Sequence, residues 1–400
     1  GNSLLLNLFN LTGNHWRAMR SKLVPMFTTG KLRHMIPQIN LLAEDLMNVL
    51  GKHTNNLDLR AQVSKFAMEV ISTTVFGIEP GSLNGVESEF SKEAKFAFSA
   101  DFFVTMKRLV LFTVPKLASF FNFAFMPERT VKYFTGIIRT ALEYRRTTGL
   151  TRNDFVQQMV TLVDKGFIEF SEKHDPNDDY LHVTEKTVVD SLKIELTDDT
   201  MIGHAFVFLL AGFETTSTAI TYLCLDLAVN QEAQQKAREE VLAALNKYGE
   251  LTYDNIRDLS YLEGCMKESL RLHPPVGHLV RNCTKRYAVP GTRLVIEPDT
   301  IVAIPSLGVH KNPDIYSRPE EFLPRRWEES HPSCSFLPFG DGPRVCIGMR
   351  FATMEIKCCL AKILQNYRFY LHPTVELPIK INPYSFFGGP TKPIMFNIVR

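Results

Sequence analysis

The stretch SFLPFGDGPRVCIGMRF, residues 335–351, decides how the rest of the chain is read. One cysteine, Cys346, follows a turn containing Gly340 and Gly342 and precedes a helix-compatible run from Ile347 to about Tyr367. A thiol at a helix N-terminus, with loop N–H groups free to point at its sulfur and Arg344 two residues upstream, is biased toward thiolate. That is the state a metal ligand requires. The glycines let the backbone come close to a flat ligand, and Pro343 stiffens the turn that aims the sulfur. A lone cysteine is more often a small core residue, but a core residue needs no such constraint. Zinc would want three or four ligands at short spacings and an iron–sulfur cluster four cysteines, and neither set stands near Cys346. A single thiolate suits haem iron.

The ordered string Phe339, Gly340, Gly342, Arg344, Cys346 and Gly348 resembles the cysteine loop of the cytochrome P-450 haem-thiolate monooxygenases. The resemblance implies a mainly α protein with a minor β-sheet. Haem b would lie between a long central helix and the helix after Cys346, with Cys346 on the iron and Phe339, Gly340, Arg344 and Gly348 around the cofactor. It also implies that residues 1–400 form a single monooxygenase domain.

Composition agrees with that class and excludes others. With 400 residues, 45% hydrophobic and 22% charged, the chain can bury a large core. A formal net charge of +2 gives no reason to expect nucleic acid. The seven cysteines are odd in number and irregularly spaced, with Cys358 and Cys359 adjacent, which is no disulfide framework and fits a reducing, cytosol-facing compartment. No run reaches the ~20 apolar residues of a spanning helix, and no signal-like pattern opens the chain. Members of the resembled family carry more sequence before the segment found here at 16–20. The chain is therefore expected to lack an N-terminal anchor and the first part of the domain. The expected location is the cytosolic face of the endoplasmic reticulum membrane.

From the start of the chain, Trp16 and Arg20 stand four apart on one face of a predicted helix. By resemblance they touch haem propionates. Five basic residues, Arg17, Arg20, Lys22, Lys31 and Arg33, precede the first acid, Glu44. Of these, Arg17, Lys22, Lys31 and Arg33, together with Arg350 and Lys357, suggest a face that steers an acidic electron donor. Residues 34–53 and 59–78 read as amphipathic scaffold helices. Nine phenylalanines between 96 and 125, interleaved with Lys107, Arg108 and Lys116, suit a surface lying in a lipid interface. Helices are expected at 127–146 and 153–164. Residues 164–199 carry eleven acids against four lysines and read as a surface loop.

The most hydrophobic segment follows. Between 200 and 225 the only charge is Glu214, and apolar residues point in all directions, as in a helix buried inside a large protein. Its middle is AGFETTST, residues 211–218. Small residues and hydroxyls there predict a local opening, because threonine bonds backwards to a carbonyl. A buried carboxylate with no cation near it in sequence is costly and needs a reason. Glu214 and Thr215 resemble the family's acid and alcohol pair that relays protons toward dioxygen, with Ala211 and Gly212 leaving room for the oxygen.

Further on, YLEGCMKESLRLHPP, residues 261–275, places Glu268 and Arg271 three apart on a helix ended by two prolines. With Arg326 they resemble the family's buried network that braces the cysteine loop. Arg325 stands where many relatives carry an acid, and Trp327 replaces the commoner phenylalanine. β-Branched runs at 294–296 and 300–304 predict a small sheet. Arg281 matches another propionate-binding arginine, and segments 275–280 and 384–389 would line the substrate pocket. The AGFETT and TKRYAVPGT strings look like insect microsomal members. The resemblance implies insertion of one atom of O₂ into an apolar small molecule, with electrons from NADPH through a flavoprotein reductase and a small haem electron-transfer protein as a further donor. A haem-thiolate isomerase that needs no reductase and a non-catalytic haem sensor or carrier are the alternatives; the Glu214 and Thr215 pair speaks against both.

Overall fold

The longest element, Asp198–Val229, is one continuous α-helix of 32 residues, about 48 Å long at 1.5 Å per residue. Its start is fixed by Thr197, whose hydroxyl accepts the Thr200 N–H, and by Asp198 and Asp199 at the positive end of the helix dipole. The computed structural model describes residues 7–83, 88–97, 102–113, 127–152, 154–170 and 192–400. In chain order its helices are α1 (Gly13–Leu23), α2 (Thr29–Leu50), α3 (Leu59–Ile71), α4 (Glu89–Ala97), α5 (Phe102–Thr113), α6 (Glu128–Thr148) and α7 (Phe155–Asp164). Then come the central helix α8 (Asp198–Val229), α9 (Gln231–Tyr248), α10 (Tyr253–Arg257), α11 (Ser260–Leu272), α12 (Ser306–His310) and α13 (Met349–Asn366).

Helices α3, α6, α11 and α13 pack against α8, and α2 and α9 pack against α13. Because α8 is apolar all round, this jacket buries it almost completely. By length and composition it is long enough to cross a membrane, which corrects the expectation that no run is, but most of its surface is buried against neighbouring helices.

The strands are short and antiparallel. β1 (Leu57–Asp58), β9 (Met395–Val399) and β8 (Arg368–Leu371) form one sheet with β9 in the centre. β2 (Phe167–Phe170) pairs with β3 (Leu192–Glu195), β4 (Leu279–Asn282) with β7 (Ile301–Ile304), and β5 (Tyr287–Ala288) with β6 (Val295–Ile296). The expected sheet at 294–304 is thus corrected: its two runs belong to different strand pairs. Residues 164–199 are likewise not loop throughout, since β2 and β3 pair across them; the middle of that stretch lies outside the described residues. Most of the aromatic stretch at 96–125 lies outside them too.

Helix α8 stays α-helical through 211–218, so the expected opening does not occur. Thr215 does bond backwards, its hydroxyl donating to the Ala211 carbonyl at 2.7 Å.

Candidate active site

Between Met201 and Ala228 every residue of α8 is buried except Val207, Ala211, Gly212, Glu214 and Thr215. Spacings of four, three and one put Val207, Ala211, Glu214 and Thr215 on one side of the helix. A stripe of accessible surface therefore runs along the middle of an otherwise buried helix. Gly212 is turned elsewhere: a Cβ there would lie 2.7 Å from the Ile71 side chain, so its missing side chain admits α3 rather than leaving room in the gap.

Cys346 has the same double character. Its side chain is exposed by accessible area, yet desolvation by surrounding protein is the largest influence on its thiol. Both hold for a sulfur that faces an internal void. The chain enters this position through Gly340 and Gly342, both with positive φ, 74° and 70°, where a side chain would be strained. Phe339 closes the loop by accepting the Cys346 N–H at 2.8 Å, and α13 starts three residues later. Burial pushes the thiol up, while a hydrogen bond from the Gly348 backbone and the charge of Arg20 pull it down. This corrects the expected thiolate bias. The cation acting on the sulfur is Arg20, not Arg344, and burial outweighs it until a metal takes the proton's place.

Around the loop three guanidinium groups converge. Arg20 donates to the Val345 carbonyl at 2.8 Å, and Arg344 donates to the Leu11 carbonyl at 2.6 Å. Buried Trp16 lies against both, its ring centroid 5.6 Å from the Arg20 Cζ and 4.3 Å from the Arg344 Cζ. Arg281, on β4, stands close enough for its charge, with that of Arg20, to depress Arg344, though burial is the larger cause. Among the described residues no carboxylate is within ion-pair distance of any of the three. Cations held together without a counterion are costly, and two carboxylates of a ligand would relieve that cost.

A thiol facing a void, an accessible stripe on α8 and three uncompensated arginines fit a flat dianionic iron porphyrin. One aromatic contact chain ties the two walls: Phe27 lies 5.9 Å from Phe208 on α8 and 6.4 Å from Phe351, five residues beyond Cys346.

Below the loop lies the network expected from Glu268, Arg271 and Arg326. Glu268 accepts from Arg271 Nε and Nη2 at 3.0 and 2.8 Å, Arg326 Nε at 2.9 Å, the Trp327 indole at 3.0 Å and the Leu323 N–H at 3.0 Å. Trp327 thus adds a donor that a phenylalanine lacks. Arg325 is exposed and outside this network. Two residues that sequence reasoning missed join the network to the cysteine loop. Arg271 donates to the His310 carbonyl at 2.9 Å, and His310 Nε2 accepts the Leu337 N–H at 2.8 Å. Burial lowers His310 to about 4, so its ring is neutral and able to accept. Tyr316 donates to the Ser335 carbonyl at 3.0 Å.

Glu214 also finds a cation that its sequence neighbours do not supply. Arg60, the second residue of α3, meets its Oε1 at 2.5 Å. The carboxylate is therefore turned toward α3, while the Thr215 hydroxyl stays on the accessible stripe.

The expected docking face is corrected at one position: Lys357 is buried and donates to Glu263 at 3.2 Å. Arg33 pairs with Asp254, and Arg350 donates to Thr29 and Tyr253 hydroxyls.

These features fit a haem-thiolate site, and sequence comparison gives the family. The chain matches the family model for Cytochrome P450 over residues 3–398 and belongs to that family. It is 33% identical to probable cytochrome P450 6a20 of Drosophila melanogaster, over 93% of this chain and 72% of the relative. To cytochrome P450 6a2 of the same fly it is 33% identical over 99% and 78%, and to cytochrome P450 6k1 of Blattella germanica 31% over 98% and 76%. The protein is a haem-thiolate monooxygenase, and its family draws electrons from a redox partner to oxidise apolar molecules.

Proposed function

We propose that this chain oxidises an apolar small molecule, a xenobiotic, hormone or lipid, held against the α8 stripe, with Cys346 as the iron ligand. The observation that carries this reading is the pairing of a void-facing thiol with three arginines that lack a counterion. Trp16, Arg20, Arg281 and Arg344 would hold the propionates, and Phe339, Gly340 and Gly348 would shape the loop around the sulfur. When bound, the haem supplies dioxygen activation and transfer of one oxygen atom, and the thiolate ligand favours O–O cleavage.

The protein's part is to position substrate, exclude water and manage protons. Ala211, small and accessible, leaves room beside the helix. The Thr215 hydroxyl donates its one hydrogen bond to the Ala211 carbonyl, so its Oγ1 can accept a hydrogen bond from the gap. Glu214 can relay a proton there only after leaving Arg60 and taking that proton from water. Segments 275–280 and 384–389 would line the pocket and select the substrate.

The finer setting belongs to the same proposal. Residues 1–400 act as one domain, served by an NADPH-dependent flavoprotein reductase and a small haem electron-transfer protein. Its place is the cytosolic face of the endoplasmic reticulum membrane. Exposed Phe103 and Met106, three apart on α5 beside exposed Lys107, support contact with a lipid surface. The test is spectroscopic. Reduced protein with carbon monoxide should give the red-shifted Soret band of a thiolate complex, and Cys346→His should abolish it. A histidine-type band in the wild type would refute the assignment.

A further inference from the structure

The ion pair between Arg60 and Glu214 joins the proton relay to a distant segment. Arg60 has a fixed base: Asp58 caps α3 by accepting the Ala61 N–H at 3.0 Å, and β1 just before it pairs with β9. Its far end passes over Gly389, where a Cβ would lie 2.5 Å from Nη1 and 3.2 Å from Nη2. Only a glycine leaves that path open.

Gly389 closes the loop 384–389, which touches α8, α5 and the turn at Pro274 and Pro275. The Tyr222 hydroxyl, eight residues beyond Glu214 on α8, donates to the Gly388 carbonyl at 2.8 Å. Thr105 on α5 donates to the Tyr384 carbonyl at 3.1 Å. A Cβ on Gly388 would be 3.8 Å from the Pro274 carbonyl and 3.9 Å from that of Pro275. Within the loop, the Gly389 N–H donates to Ser385 Oγ at 2.8 Å. A ligand pressing on this loop therefore presses on the space through which Arg60 reaches Glu214. Nor is the pair a sealed structural bridge, since the Arg60 and Glu214 side chains keep 23% and 15% of their surface accessible.

We propose that Arg60 couples the 384–389 loop to Glu214, so that filling the pocket shifts the guanidinium and frees the carboxylate to take a proton from water and turn toward Thr215. Arg60 is a positioning residue, and the inference rests on the pocket assigned above. The device makes proton delivery conditional on an occupied pocket. Coupling between sites is reciprocal, so a change at Glu214 must also alter ligand affinity at a loop it does not touch.

The test is a double-mutant cycle on the haem-loaded chain. An alkoxycoumarin that gives a spin-state shift with the wild type serves as probe, and its affinity is read by optical titration. Glu214→Gln and Gly389→Ala should each change probe affinity by about threefold or more, and the double variant should match Gly389→Ala alone. Glu214→Gln should also speed hydrogen exchange of the 384–389 amides. If Gly389→Ala folds poorly, Arg60→Met replaces it in the cycle with the same expectation. Multiplicative effects, or a Glu214→Gln variant with wild-type affinity and exchange, would overturn the proposal. Because the wild type's carbon monoxide band and spin shift are recorded first, failure of the underlying assignment is told apart from failure of the coupling.

Discussion

Two glutamates, each paired with an arginine, sit on two helices that pack together and have contrasting surroundings. Glu268 is fully buried and accepts five hydrogen bonds from four residues around it. Glu214 keeps some accessible surface and meets one guanidinium. A carboxylate whose lone pairs are all engaged in a buried site cannot move without stranding its partners, so Glu268 fixes geometry. A carboxylate held by one bond at the edge of a gap can exchange partners at little cost, so Glu214 suits a step that requires movement. Glu355, on α13, completes the series: it is buried, and neither oxygen meets a donor among the described residues. Burial holds its carboxyl well above the usual range, favouring the neutral form. The number of donors, rather than the residue type, separates a brace, a mover and an unpartnered core residue.

The largest expected effect follows from breaking the brace. Glu268→Ala leaves the guanidinium of Arg271, itself fully buried, uncompensated, a loss of about 3–5 kcal/mol against a typical total of about 5–15. Little haem-loaded protein should be recovered, as read by the carbon monoxide band per milligram and by thermal melting. Stability near that of the wild type would end the distinction between brace and mover.

Glu355→Met gives the next effect, with opposite sign. Its folded pKa is raised, so its contribution to stability is fully present below the unfolded value of ~4.3. That contribution is lost as pH rises toward the folded value, at about 1.4 kcal/mol per pH unit. The variant should melt higher than the wild type at pH 7.5, with the advantage shrinking by pH 5. A constant difference across that range would mean that Glu355 has a partner in solution.

Trp327→Phe removes one of the five donors while keeping most of the ring. A cost of about 1–2 kcal/mol in denaturant unfolding is expected, with the thiolate band intact. No loss would show that the indole N–H is dispensable to Glu268.

Glu214→Gln should alter stability least, within about 1 kcal/mol, because its pair is partly solvated. Catalysis should fall far more, on the order of 10²-fold, with electrons diverted to peroxide. Thr215→Ala should give the same diversion. If product per NADPH is unchanged in both variants, the pair is structural.

The parts of the site that were legible in the sequence are local ones. Cys346 and its glycines, the 198–229 helix and the spacing of Glu268 to Arg271 lie within single elements, where periodicity and turn chemistry act directly. Arg60 was not legible, because its partner lies 154 residues away and nothing near Arg60 marks it. His310 and Tyr316 reach the cysteine loop through backbone groups, which carry no sequence signal of their own. Lys357 was misplaced on the surface because charge alone was counted. Its neighbours Met354, Ile356, Cys358 and Leu360 show a helix apolar on nearly every side, and such a helix buries its charges with partners.

The arginine trio bears on how this protein is made in a cell. Arg20 and Arg344 both lie against Trp16, and Arg344 feels the charges of Arg20 and Arg281; on the proposed assignment, α1 would be held to the cysteine loop against that repulsion until the porphyrin arrives. Cofactor capture would then be the closing step of maturation, and limited proteolysis of cofactor-free chain should cut first along α1. Iron and porphyrin supply, more than translation rate, should set the yield of intact protein. Small polyvalent anions such as citrate should shield the immature chain, since they neutralise the same three charges without filling the gap beside Ala211.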